Sequence, residues 1–280
     1  RLDHTRLVEA ILGETGRDPP AVRTQRERVA ELGSLLPNVD DSRAARLATV
    51  AESLVDRSVW IVGGDGWAYD IGFGGLDHVL ASGRNVNLLV LDTEVYSNTG
   101  GQASKATPRG AVAKFAAGGK PIGKKDLGMI AMAYGNVYVA QVAMGANPRQ
   151  TIRAMLEAEA YPGTSIIIAY STCIAHGIDM ERSQSHMKEA VNSGYWPLYR
   201  FVPQDDPSGH PFQLDSRKPT LSYEEFAMKE ARFAMLARSK PTEAQRLMNL
   251  AQQDIDERWH LYEQLAGVER GVPHTEEDPR

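Results

Sequence analysis

The chain has 280 residues, 42% of them hydrophobic and 24% charged, which is ample apolar material for a buried core in one or two domains. A formal net charge of −5 leaves no electrostatic footprint for nucleic acid, and no apolar run is long enough to span a bilayer, so neither partner class is expected. The single cysteine, Cys173, cannot form an intrachain disulfide, and no charged-then-apolar leader opens the chain, which points to a reducing cytoplasm.

Residues 1–56 read as a charged helical segment with turn breaks at 16–20 and 36–40 and no recognisable site. The helical pattern starts at once from Arg1, which suggests a piece of a longer chain. Residues 57–204 read as an α/β domain. Residues 58–62 (SVWIV) form a short apolar run ending at Gly63 and Gly64, the pattern of a buried parallel strand. Ile71, Phe73, Leu76, Val79 and Leu80 at helical spacing predict a helix over 70–81, and 86–91 (VNLLVL) is a second buried strand. A βαβ unit of this kind crosses over right-handedly, so the two strands run parallel and their carboxyl ends share one rim.

A loop rich in Gly, Ser and Lys covers 98–125, Asp126 caps a helix that stops at Gly135, and 137–142 is a third strand. Asn147 followed by Pro148 starts a helix to about Ala160, and 165–170 (SIIIAY) is a fourth strand. Residues 205–280 read as a C-terminal helical tail of packing or interface helices. Capping-box patterns stand at Ser222/Glu225 and Thr242/Gln245, and the stop lies near Gly267. The expected fold is therefore a doubly wound, mostly parallel α/β sheet with helical N- and C-terminal extensions.

Open α/β sheets bind ligands at the rim where parallel strands end. Gly64, Asp65 and Gly66 follow the first strand, and Asp92, Thr93, Glu94 and Val95 follow the second. A carboxylate from Asp65, a hydroxyl from Thr93 and the backbone carbonyl of Val95 are three hard oxygens of the kind Mg²⁺ takes, with places left for phosphate oxygens and water. The glycines allow close approach of the backbone to a phosphate, and the helix start beyond them offers unpaired N–H groups. An Asp in a strand-to-helix turn is commonplace, so the second oxygen cluster is what raises the cradle above an ordinary turn.

The wording is more specific than the pattern. Residues 63–72 (GGDGWAYDIG) and 91–102 (LDTEVYSNTGGQ) closely resemble the pyruvate:ferredoxin (flavodoxin) oxidoreductases, in their C-terminal thiamine-diphosphate-binding domain. The likeness continues through 105–108 (KATP), 113–116 (AKFA), 123–127 (GKKDL), 193–197 (SGYWP) and 211–215 (PFQLD), so it covers roughly 57–240. The resemblance implies thiamine diphosphate as cofactor, with Mg²⁺ held by Asp65, Thr93 and the Val95 carbonyl. Gly64, Asp65, Gly66, Trp67, Thr93, Glu94, Val95, Tyr96, Ser97 and Asn98 would line the cofactor, and Asn98 would also reach the substrate as a catalytic residue. Many thiamine enzymes carry Asn where this chain has Thr93, a departure that favours the oxidoreductase over decarboxylases and synthases.

In the resembled family a cysteine placed like Cys173 is the last thiolate of a [4Fe–4S] cluster. Its three companions are absent from these residues, and a solitary cysteine is more often an inert buried residue. The implied reaction is oxidative decarboxylation of a 2-oxoacid, pyruvate being favoured, to acyl-coenzyme A, CO₂ and reduced ferredoxin or flavodoxin. The remaining domains of the enzyme would supply the rest of the site, the assembly would be a homodimer, and this segment alone would be inactive.

Other candidates are weaker. Residues 118–124 (GGKPIGK) fit a phosphate-binding P-loop until Lys125 stands where Ser or Thr should bind Mg²⁺, and no strand precedes them. The seven histidines show no metal-binding pair at helical spacing, and His78 reads as a surface or boundary residue. Ser183 and Ser185 near His186 lack an acid partner for a triad, and Met129, Met132, Met144 and Met155 are most simply core. Two other classes accept the same fold. A non-oxidative thiamine enzyme would have no use for Cys173 and no iron–sulfur absorbance. A non-catalytic nucleotide-binding module would not be stabilised by thiamine diphosphate with Mg²⁺.

Overall fold

The computed structural model describes residues 2–14, 16, 19–203 and 208–271; part of the break expected at 16–20, and the boundary expected at 204/205, lie outside these residues. The chain divides into two compact units, Arg1–Ser58 and Val59–Arg280. The first is helical, with α1 (Leu2–Leu12), α2 (Pro19–Leu35) and α3 (Ser42–Val50). Its own small core joins Leu7, Ile11, Val29 and Ala51, and the Gln25 amide ties α1 to the segment after α3 through bonds to the Ile11 and Leu54 carbonyls.

The second unit is built on a six-stranded sheet. Strands β1 (Trp60–Gly64), β2 (Asn87–Asp92), β3 (Tyr138–Val142) and β4 (Ser165–Tyr170) are parallel, in the spatial order β1-β2-β4-β3. Two short strands, β5 (Tyr199–Phe201) and β6 (Phe212–Leu214), extend the β3 edge antiparallel. The connections β1→β2 and β2→β3 step one way across the sheet and β3→β4 steps back, so right-handed crossovers place helices on both faces. The core bears this out. Leu76 and Leu80 of α4 (Phe73–Ala81) and Leu127 and Ala131 of α5 (Leu127–Met132) pack with Val90, Val139, Ile166 and Ile168. Ala154 and Ala158 of α6 (Pro148–Ala160) pack with Tyr138, Ala140, Val142 and Ile167 on the opposite pleat. Coverage of both faces is why these strands read as continuous apolar runs. The sheet is doubly wound, as expected.

Beyond the sheet come α7 (Ser183–Asn192), α8 (Tyr223–Ala227), α9 (Ala231–Ser239) and α10 (Pro241–Leu265). Phe226, Phe233 and Tyr262 carry α8, α9 and α10 into the larger core, so the tail belongs to the same compact unit as the sheet. The caps expected at Asp126, Asn147 and Ser222 form, the last as a complete box with Glu225.

Several local expectations are corrected. Gly63 and Gly64 lie inside β1, and a single π-helical turn, Gly66–Asp70, separates them from α4. Ile71 falls between that turn and the helix and is 93% exposed, outside the apolar stripe it was assigned to. Thr242 does not cap a helix, because Pro241 already begins α10 behind Lys240. Met144 is exposed in the loop after β3, whereas Met132 is buried and Met129 and Met155 are packed partly against the core.

Candidate functional site

Gly64 pairs with Leu91 in the β1–β2 register, so the residues that leave the two strands start from the same rim. The Thr93 hydroxyl stands 2.8 Å from Asp65 Oδ1 and 3.0 Å from the Val95 carbonyl oxygen. Its one hydrogen can serve only one of those acceptors, so three oxygens from the two turns converge on one spot. The second carboxylate oxygen, Asp65 Oδ2, is buried and has no hydrogen-bond partner. Burial, reinforced by nearby Asp92, pushes the Asp65 carboxyl up to about 6. An orphaned buried carboxylate beside neutral oxygens is costly on its own and is resolved by a hard cation. The residues fit Mg²⁺.

The first turn is shaped by missing side chains. A Cβ on Gly66 would run into the Tyr96 ring, and one on Gly63 into the Trp67 ring, so these glycines seat the two aromatics. Gly64, by contrast, has nothing within 4 Å of where its Cβ would stand, leaving the approach to the cluster open.

The second turn is held by charge. Glu94 is fully buried and adopts a left-handed backbone (φ +59°). Lys124 Nζ bonds its Oε1 at 3.1 Å, Arg232 Nη2 bonds Oε2 at 2.7 Å, and the Tyr195 hydroxyl also donates to Oε2. Burial would raise this carboxyl, but Lys124 and Arg232 hold it down at about 2. Lys124 bonds Asp92 Oδ2 as well, at 2.7 Å, and sits over the Tyr69 and Trp196 rings. Asp92 is nonetheless raised, because its complete burial outweighs the lysine. The neutral side of the same turn is fixed by His176, whose Nε2 carries the hydrogen and donates to the Thr93 carbonyl at 2.7 Å. Burial pushes this imidazole down to about 4, so it is uncharged near neutrality.

Trp67 and Tyr96 are half-buried at the rim, while Ser97 and Asn98 are exposed on the loop that follows. Cys173 follows β4 on the same rim, since Tyr170 pairs with Asp92. It is buried, and its sulfur accepts from the Ala175 amide at 3.4 Å, capping the short turn that carries His176. His78 is exposed, and Lys124, the last residue of the rejected P-loop, serves Asp92 and Glu94 instead. The sequence reading missed the residues that support the turn: Lys124, His176, Tyr195, Glu230 and Arg232. Two of them lie inside resembled peptides, which flagged the words and not the roles. Arg232 had no local signal at all.

Residues 43–169 match the family model described as thiamine pyrophosphate enzyme, C-terminal TPP binding domain. A putative pyruvate-flavodoxin oxidoreductase of Synechocystis sp. is 59% identical over 261 residues, covering 93% of this chain and 22% of the relative. The pyruvate:ferredoxin oxidoreductase of Moorella thermoacetica is 59% identical over 214 residues, covering 76% of this chain and 18% of that one. A solved structure of the 2-oxoglutarate:ferredoxin oxidoreductase from Magnetococcus marinus aligns with a TM-score of 0.41 at 27% identity, over 48% of this chain and 46% of its own. The chain spans about a fifth of the length of the curated relatives it matches. Residues 43–169 thus match the binding-domain family model and take in both turns of the rim, and over most of its length the chain is similar to one segment of the pyruvate-flavodoxin oxidoreductases.

Proposed function

We propose that this chain supplies the diphosphate and Mg²⁺ half of the thiamine diphosphate site in an enzyme that oxidatively decarboxylates pyruvate to an acyl-coenzyme A and CO₂, reducing ferredoxin or flavodoxin. The observation that carries the reading is the meeting of Asp65 Oδ1, the Thr93 hydroxyl and the Val95 carbonyl beside the unpartnered Asp65 Oδ2. Asp65, Thr93 and Val95 would hold the cation. Gly64, with open space before it, would admit the diphosphate, and Trp67 and Tyr96 would line the cofactor. When bound, the thiazolium ring supplies the electron sink for loss of CO₂. The protein's part is to fix the cofactor and orient the substrate, and the exposed Asn98 amide would hydrogen-bond the oxoacid.

Cys173 would give one thiolate to a [4Fe–4S] cluster completed by cysteines from the rest of the enzyme, since this chain has one cysteine only. The remaining domains, a homodimeric assembly and a cytoplasmic setting belong to the same proposal. Among the described residues no helix is long and apolar enough to cross a membrane.

The test uses the full-length enzyme. Calorimetric titration with thiamine diphosphate should give tight binding in Mg²⁺ and lose it in a chelator; equal binding in both would remove the cation from the site. For the cluster, Cys173→Ala should lower iron content and alter the electron paramagnetic resonance signal of the reduced protein. Full iron and an unchanged signal would leave Cys173 a buried small residue.

A further inference from the structure

Glu94 is the one residue between the two that offer Thr93 Oγ1 and the Val95 carbonyl, and its backbone is left-handed (φ +59°). A bulky side chain keeps such a conformation only where its surroundings over-determine it. Here they do. Thr107 Oγ1 donates to the Glu94 carbonyl at 2.6 Å, while the carboxylate takes Lys124, Tyr195 and Arg232. Arg232 lies 138 positions along the chain, in the first turn of α9, where it also bonds Glu230, itself an acceptor for His186 Nε2 at 2.7 Å.

We propose that Glu94 is a positioning residue: its clamped carboxylate locks the left-handed turn that aims the Thr93 hydroxyl and Val95 carbonyl at Asp65, and the C-terminal segment thereby sets the cation affinity of the rim. The inference rests on the metal–diphosphate reading of Asp65. Release of the carboxylate lets residue 94 relax toward ordinary negative φ. That rotation turns the peptides on either side of it, and the Val95 carbonyl no longer faces Asp65 together with the Thr93 hydroxyl. A Glu94 that served only as a buried ion pair would affect melting and leave the ligands where they are.

Glycine separates the two roles, because it adopts positive φ freely and so keeps the turn accessible without locking it. In Glu94→Gly the buried cations are not stranded, since Lys124 keeps Asp92 and Arg232 keeps Glu230. Glu94→Gln is the second variant, with volume retained and an oxygen left for Tyr195 and Arg232. The measurement is calorimetric titration of Mg²⁺ into the full-length protein at saturating thiamine diphosphate, with circular dichroism and melting temperature recorded alongside. The half-saturating Mg²⁺ concentration should rise roughly 10- to 100-fold in Glu94→Gly, the range for loss of a residue that orients metal ligands, and by less in Glu94→Gln. If wild-type protein binds the cofactor without regard to Mg²⁺, the Asp65 reading fails and the clamp falls with it. If wild type depends on Mg²⁺ and both variants match its half-saturation, whatever their melting temperatures, the clamp alone is overturned.

Discussion

The two turns that meet at the rim hold their oxygens by opposite means. The turn after β1 relies on what is absent: Gly63 and Gly66 leave room for the Trp67 and Tyr96 rings, all supplied from within 34 residues of one another. The turn after β2 relies on what is present, with Glu94 bound by Lys124, Tyr195 and Arg232 from three distant parts of the unit. The first is therefore sensitive to atoms added and the second to charges removed. Two neighbouring turns of one sheet can thus be specified by different parts of the sequence.

The largest effect is expected where the two turns meet. Asp65→Ala in the full-length enzyme should weaken thiamine diphosphate by roughly 100-fold or more, about 2.7 kcal/mol, measured calorimetrically in Mg²⁺. The apo fold should not suffer, because Asp65 Oδ2 is buried without a partner and its removal relieves a desolvated group. Thr93→Val keeps the shape and loses one neutral oxygen, so its loss should be nearer tenfold, about 1.4 kcal/mol. Near-normal affinity in Asp65→Ala would end the comparison by showing that the shared point is no cation site.

Adding atoms to the first turn sharpens it. Gly66→Ala forces the Tyr96 ring aside and should cost about 1–3 kcal/mol of stability, as overpacking does. Gly64→Ala meets nothing within 4 Å and lies in a strand, where alanine is the better residue by about 0.5–1 kcal/mol. It should melt no lower than wild type and yet bind thiamine diphosphate less well, since its methyl would fill the open approach. A pair of melting curves with matched titrations decides this. Unimpaired binding by Gly64→Ala would place the diphosphate elsewhere.

The same contrast explains what was legible in the sequence. The four parallel strands were readable because both faces are covered, and Asp65 and Thr93 were readable because each ends such a run. Asp126, Asn147 and Ser222 act within three residues of themselves, so their caps could be read locally. Strands β5 and β6 have three residues each and carry Arg200 inside the sheet, satisfied by Glu157 and Asp215; no apolar run announces them. Arg232 looked like any cation on an amphipathic helix. Its partner stands 138 positions earlier, a separation that neither periodicity nor spacing encodes.

The smallest effect on cofactor affinity is expected at Asn98, just past the second turn. Tyr96 anchors the loop by accepting from the Gly101 amide and donating to the Gln102 carbonyl, at 2.8 and 3.0 Å, which leaves Asn98 exposed between the anchors. Truncating it removes nothing that either turn depends on. Asn98→Ala should therefore melt like wild type and bind thiamine diphosphate within about twofold, well under 1 kcal/mol. Turnover of pyruvate should still fall by about tenfold, the effect of losing one hydydrogen bond of roughly 1–2 kcal/mol to the reacting oxoacid. Steady-state kinetics beside the same titration separates the possibilities. An unchanged rate would remove Asn98 from the substrate, and an affinity loss as large as that of Thr93→Val would make it part of the cofactor seat, extending the second turn by three residues.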